Sequence, residues 1–291
     1  MTVTEIPTRT VPTRRVSFEY PLADLPRHFA ADEDIVMSHV IAVLSSVFPN
    51  GEDFFVRSVR NFRDQIEDPA LKEQVKGFIG QEAIHGREHR EFNDRLDELG
   101  YPSKRIDRFV DRSLKIREKL LPAKANLAAT AALEHYTATL AQILLTDPAA
   151  RDTVAHPEVR NLFLWHALEE SEHKAVAFDV YRYVGGTERM RKVTMTIFNI
   201  GFPAAVAVMT FLSMLRDPVA RRSPRRVWKS LKKLRYTPFV SREIVAQLHD
   251  YQREDFHPDD HPTDELVAHW REELFGAAGS LNDRLPAPRA S

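Results

Sequence analysis

No cysteine occurs in the 291-residue chain. That absence excludes disulfides, zinc–thiolate sites, iron–sulfur clusters and thiol nucleophiles, and it makes an intracellular, cytoplasmic location the expectation. Any metal must then be held by His, Asp or Glu. Net charge is nearly absent too: 41 Lys and Arg against 42 Asp and Glu leave a formal charge of −1, with no global pull toward nucleic acid. The opening "MTVTEIPTRTVPTRR" has no apolar core of the kind a secretion signal needs, so residues 1–30 read as a disordered or extended lead. Alternating strand patterns and internal repeats are lacking as well. What remains is an ordinary globular composition, 43% hydrophobic and 29% charged, in which helical periodicity dominates. The expected class is all-α.

The helices are bounded by their own punctuation. Asp32 is the expected N-cap of a helix running through Ile35, Val40 and Leu44, which Pro49-Asn50-Gly51 should break before a second begins near Glu52. Asp68-Pro69 opens a long helix that Gly100-Tyr101-Pro102 closes. A shorter one spans 103–120, another runs from Pro122 to about Thr146, and Pro157 opens one expected to reach Gly185-Gly186. Residues 31–186 thus read as a helical bundle and 187–276 as a helical extension. Within the extension, 193–215 carries no charge and 216–235 is rich in Arg and Lys. The last segment, 277–291, reads as a loose tail.

The uncharged stretch has the length of a membrane span, and the cations after it suit anionic lipid. A fully buried helix or the wall of a substrate tunnel fits it as well, and Asn199, Gly201 and Pro203 weigh against a span.

Two helices carry polar groups where apolar ones belong. Glu82-Ala83-Ile84-His85 and Glu170-Ser171-Glu172-His173 each place a carboxylate and an imidazole on one helix face. Both lie on stripes that are otherwise core: Phe78, Phe92 and Leu96 on one helix, Leu162, Ala177 and Val180 on the other. An unpaired buried charge is costly, so these groups need a partner. Two Glu-x-x-His helices, with one Glu from each of two further helices, build the dinuclear centre of a ferritin-like four-helix bundle. Glu52 and Glu134 stand on the helix preceding each pair. Four carboxylates and two imidazoles suit two Fe ions, with Mn/Fe, Mn or Zn as alternatives. His166, one turn before Glu170, offers a further imidazole; His89, one turn after His85, offers another or orients a ligand. A third Glu-x-x-His, Glu254 to His257, falls in the irregular tail and reads as chance.

The spacing His166, Glu170, His173 resembles the p-aminobenzoate N-oxygenase type of ferritin-like enzyme. More closely, "FPNGEDFF", "FIGQEAIHGREH" and "WHALEESEHKAVAFDVY" resemble a bacterial family described as predicted metal-dependent hydrolase, over about residues 35–275. The resemblance implies a metal site at Glu52, Glu82, His85, Glu134, Glu170 and His173.

Other polar residues read more plainly. His135 points away from Glu134's face, Glu169 and Glu172 flank the stripe as supporting or solvated groups, and Tyr136 and Tyr181 read as packing. His257 and His261 sit in Pro-rich turns. The functional expectation is an O2-dependent oxidase or oxygenase in which Glu82 and Glu170 are catalytic and bridge two metals. It would act on a small apolar organic substrate, with an electron donor the sequence does not name. Hydrolysis through a metal-activated water at the same residues is the alternative, and a non-enzymatic metal bundle the third reading. No nucleic acid is expected; contact with the inner face of a membrane and a homodimer are both allowed.

Overall fold

The structure, a computed structural model, describes residues 7, 9–18, 22 and 24–286. Among these there is no strand, and the chain is all-α as expected. Four long helices form the frame: α1 (Ile35–Arg60), α2 (Pro69–Glu98), α4 (Ala123–Thr146) and α6 (Pro157–His173), with α3 (Ser103–Leu120) joining the second to the third. α1 packs on α2 and α4 on α6, while α1–α4 and α2–α6 contacts close the bundle. The short α5 (Pro148–Thr153) precedes α6, and α7 (Val176–Tyr183) continues it. Beyond lie α8 (Glu188–Met214), α9 (Pro218–Arg222), α10 (Pro224–Leu234), α11 (Arg242–Asp250) and α12 (Asp264–Phe275). Four-helix packing is what the structure shows of the ferritin-like expectation.

Several boundaries differ from the sequence reading. Asp34, not Asp32, caps α1, its carboxylate accepting from Met37 N at 2.9 Å; Asp32 lies in the left-handed region at φ 56°. The helix is not broken at Pro49-Asn50-Gly51 but runs on to Arg60. A proline inside a helix leaves the carbonyl four residues earlier without its N–H. Here that carbonyl is Ser45 O, and Asn93 Nδ2 of α2 donates to it at 2.9 Å, so a neighbouring side chain supplies the missing bond. Asp68 does cap α2, accepting from Leu71 N at 2.8 Å, and Gly100 ends the turn after it at φ 89°.

The helix expected to reach Gly185 is interrupted just after His173. Lys174 and Ala175 keep right-handed dihedrals, so the chain kinks without stopping. Neither proline nor glycine marks the place; Lys174 turns out to donate to the His261 carbonyl.

Where it is described, the N-terminal lead is extended and packed. It crosses α2 at Gly77 and Gly80, where a Cβ would collide with Val11 and Thr13. Gln81 Nε2 donates to Pro12 O at 3.0 Å, and Val16 and Phe18 are fully buried. Within the expected tail, Leu281 is buried and Arg284 O accepts from Ser17 N at 3.1 Å; residues 287–291 lie outside the described residues.

The uncharged segment lies within α8, and it is neither a fully buried helix nor an enclosed wall: only 11% of its most apolar window is buried. By length and composition it is the one helix among the described residues that could cross a membrane.

Asn93→Ala is expected to destabilise the fold by about 1–3 kcal/mol, the cost of leaving a buried carbonyl unpaired. Adding Pro49→Ala should recover part of the loss, because residue 49 then donates to Ser45 O itself. Urea unfolding of the single and double variants checks this; equal losses in both would refute the pairing.

Candidate metal centre

Two hydrophobic layers, one around Trp165 and Phe92 and the other around Phe54 and Phe178, enclose a layer of titratable groups. Glu52 comes from α1, Glu82 and His85 from α2, Glu134 from α4, and His166, Glu170 and His173 from α6. None is more than 4% exposed. All seven residues singled out in the sequence are therefore brought into one layer.

Their ligand atoms fall into two groups. Glu52, His85 and His166 approach one another within 4.8 Å, and Glu82, Glu170 and His173 do the same. Glu170 Oε1 stands between the groups, 2.9 Å from His166 Nε2 and 3.6 Å from both His85 Nδ1 and His173 Nε2. Glu82 Oε1 is 3.1 Å from His173 Nε2 and 4.0 Å from His85 Nδ1. Glu134 Oε2 approaches His173 Nε2 from α4 at 3.3 Å. Across the layer, Glu52 Oε1 lies 3.7 Å from His166 Nε2.

Most of these atoms have no hydrogen-bond partner. Both oxygens of Glu52, Glu82 and Glu134, Glu170 Oε2, His85 Nδ1 and His173 Nε2 are buried and unpartnered. Native proteins satisfy nearly all buried polar atoms, and an unsatisfied one costs about 1–3 kcal/mol or more if charged. A convergent set of orphaned oxygens and nitrogens fits cations of the Fe, Mn or Zn kind, and four ionised carboxylates balance two divalent ions.

The far side of each imidazole is fixed, and this decides which nitrogen is free. His85 Nε2–H donates to Glu169 Oε2 at 3.0 Å, leaving Nδ1 inward. His173 Nδ1–H donates to Gln81 Oε1 at 2.8 Å, leaving Nε2 inward. For His166 the tautomer is set by a relay that starts at Pro49. Asn93 turns its amide N–H to the freed Ser45 carbonyl, so Asn93 Oδ1 accepts from the Ser45 hydroxyl at 2.8 Å. Ser45 Oγ then accepts from His89 Nδ1–H at 2.9 Å. His89 Nε2 accepts from His166 Nδ1–H at 2.7 Å, and His166 Nε2 is left facing Glu52 and Glu170. Such outer partners orient metal-binding imidazoles and raise their basicity.

A further layer reaches back to both ends of the fold. Arg14, on the extended lead, donates to Glu169 at 2.9 Å and to Glu172 at 2.7 Å. Glu172 also accepts from Gln81 Nε2 at 2.7 Å and from Arg271 of α12 at 2.6 Å. Glu169 and Glu172 are thus buried supports, not solvated groups. Arg14, Gln81 and Arg271 were not signalled by the sequence, because no helical period links them to the Glu-x-x-His pairs.

Electrostatics follow from burial and crowding. Burial and Glu134 push Glu82 up to about 8; burial and Glu170 push Glu134 up to about 7. Burial, with Glu82 and Glu170, holds Glu52 well above the carboxylate range. Burial and His166 hold His85 well below the imidazole range. Although burial disfavours charge on both, His173 and His166 keep Glu170 low, and Glu170, Glu134 and Glu82 raise His173.

The remaining candidates lie elsewhere. His135 is buried and donates to Gln247 O at 2.9 Å. Tyr136 and Tyr181 donate to Asn199 Oδ1 and Thr187 O. His257 faces Asp179 at 2.8 Å and His261 faces Asp250 at 3.1 Å. A second buried group, His28, His39 and Asp217, escaped the sequence reading because its members come from three unrelated segments. Both imidazoles meet Asp217 Oδ2, at 2.7 and 3.1 Å, while Arg27 holds Oδ1 at 3.2 Å, so the carboxylate is already fully engaged.

A family model described as predicted metal-dependent hydrolase matches residues 12–262. No curated protein and no solved structure matches the chain, so the likeness to the p-aminobenzoate N-oxygenase type gains no support from these comparisons.

Metal analysis of the purified chain should find about two ions per molecule, the number that four carboxylates balance. Glu82→Ala and His173→Ala should lose most of that metal, and Gln81→Leu should weaken affinity by about 10–100-fold. Full metal content in both ligand variants would reject the assignment. In metal-free protein, stability should fall as pH rises from 6.5 to about 8. There Glu82, Glu134 and His173 keep protons in the folded state that the unfolded chain has released. Melting temperature against pH reads this directly, and a flat or rising curve would contradict it.

Proposed function

We propose, for a chain that belongs to the family of predicted metal-dependent hydrolases, a dinuclear metal enzyme that uses water as its nucleophile. The observation that carries this reading is the closed layer of unpartnered carboxylate and imidazole atoms, divided into two groups with Glu170 Oε1 between them. Glu52, His85 and His166 would hold one ion; Glu134 and His173 would hold the other, with Glu82 and Glu170 shared. When bound, such ions lower the pKa of water toward neutrality and polarise a carbonyl. The oxygen and nitrogen donor set, without sulfur, suits Zn, Mn or Fe.

The chain's own groups do the rest. Glu134 turns Oε2 toward His173 and leaves Oε1 without a partner, so a carboxyl that would hold an ion through Oε2 could take a proton from water on Oε1. His85, His166 and His173 are held in one tautomer each and cannot turn away. Aromatic edges line the layer: Phe48 lies 5.0 Å from His166, Trp165 4.9 Å from His85 and Phe78 5.0 Å from His173. They exclude bulk water and favour a substrate whose body is apolar, such as an ester of a fatty or aromatic acid.

That same apolar, closed setting favours the oxidase or oxygenase reading expected from the sequence, with two Fe ions, O2 and an electron donor. The family's description gives the hydrolase alternative the stronger support.

Chelator-stripped protein reloaded with zinc, manganese or iron should cleave p-nitrophenyl butyrate under nitrogen, and Glu82→Gln and Glu170→Gln should abolish the metal-dependent rate. Absence of cleavage with every metal, together with oxygen uptake by the iron-loaded form, would replace hydrolysis with oxidation.

A further inference from the structure

The outer face of α8 is a single apolar stripe. Val193, Ile197, Ile200, Val208, Phe211 and Leu215 share this face, with the exposed Ala204 bridging the eight-residue gap between Ile200 and Val208, and each of the six is about half exposed or more. At 1.5 Å per residue the stripe is about 33 Å long. Few proteins present an apolar row of that length to water without a partner.

The opposite face of α8 is fastened to the bundle. Arg191, fully buried, donates to the carbonyls of Tyr251 and Arg253 near the N-terminal end. Asn199 accepts from Tyr136 in the middle, and Ser213 meets His39 Nδ1 at 2.8 Å near the C-terminal end. A helix tied along its length cannot stand upright across a bilayer; it can only lie flat in one.

Cations cluster where the stripe ends. Arg216, Arg221, Arg222, Arg225 and Lys229 are exposed and form no ion pair among the described residues. Trp228 on α10, 61% exposed, stands beside them with Lys232 Nζ 5.4 Å from its ring centre. α3 reaches α8 through the Arg117 guanidinium, 5.9 Å from the Phe198 ring. On α3 itself Phe109, Ile116 and Leu120 are exposed among Arg and Lys residues.

We infer that this surface seats the protein on an anionic lipid bilayer, the α8 stripe entering the acyl boundary and the α9–α10 cations meeting headgroup phosphates. Charge complementarity selects that occupant over a second copy of the chain. At the far end of the stripe the carboxylates Glu188 and Glu254 are already paired, the first with Arg182 and Arg191 and the second with Lys192. The cations would therefore stay unmatched in a dimer. Exposed Trp beside Lys and Arg is the composition of a headgroup-level contact.

Vesicle co-sedimentation of the full-length, metal-loaded protein tests this. Binding is expected to vesicles of equal parts phosphatidylcholine and phosphatidylglycerol, to weaken steeply with added salt, and to be slight for phosphatidylcholine alone. Each basic residue near the surface contributes about fivefold in partition, so Arg222→Glu/Arg225→Glu/Lys229→Glu should reduce binding by on the order of a hundredfold. Ile200→Ser/Phe211→Ser should also release the protein, with circular dichroism and metal content unchanged. Three results would overturn the inference: no sedimentation with either vesicle, a solution dimer that Ile200→Ser/Phe211→Ser disperses without any vesicle binding, or retention in membranes after an alkaline wash, which marks a span.

Discussion

Carboxylates on four different helices, crowded together and shielded from water, repel one another unless cations lie among them. Glu52, Glu82 and Glu134 show the strain as raised proton affinity, and Glu170 escapes it only because imidazoles flank it. A bundle with an apolar layer in this place would be more stable on its own. The fold keeps the unfavourable layer and surrounds it with apolar packing on both sides, an arrangement that makes sense if metal ions complete it.

Support for the layer is drawn from places that do nothing locally. Pro49 removes one backbone bond from α1, and the freed carbonyl orients Asn93, Ser45, His89 and finally His166 in turn. The extended lead contributes Arg14, which fixes Glu169 behind His85 and Glu172 behind Gln81. Gly77 and Gly80 let that lead lie against α2 closely enough to do so. Backbone irregularity and the extended lead, often treated as peripheral, here hold the inner carboxylates and imidazoles in register.

The convergent Glu and His layer was legible in the sequence because it is periodic: Glu and His three residues apart share a helix face, and Glu52 and Glu134 stand on core stripes. All-α class and the caps at Asp68 and Gly100 were legible for similar local reasons. Asn93 rescuing the Pro49 carbonyl was not, since it depends on a contact between two helices. The kink after His173 carries no breaker residue, and Arg14 lies in a segment with no period at all. For α8, composition is the same whether a helix is buried in protein or faces outward, so only the packing against α1 and α4 could separate them.

Glu172 accepts from Arg14 near the start of the chain and from Arg271 far beyond it. While the polypeptide is still emerging from the ribosome, the four principal helices can associate, but the outermost clamp behind Gln81 stays open until α12 has been made. Until that arginine arrives, Glu172 has only Arg14 and Gln81 to hold it.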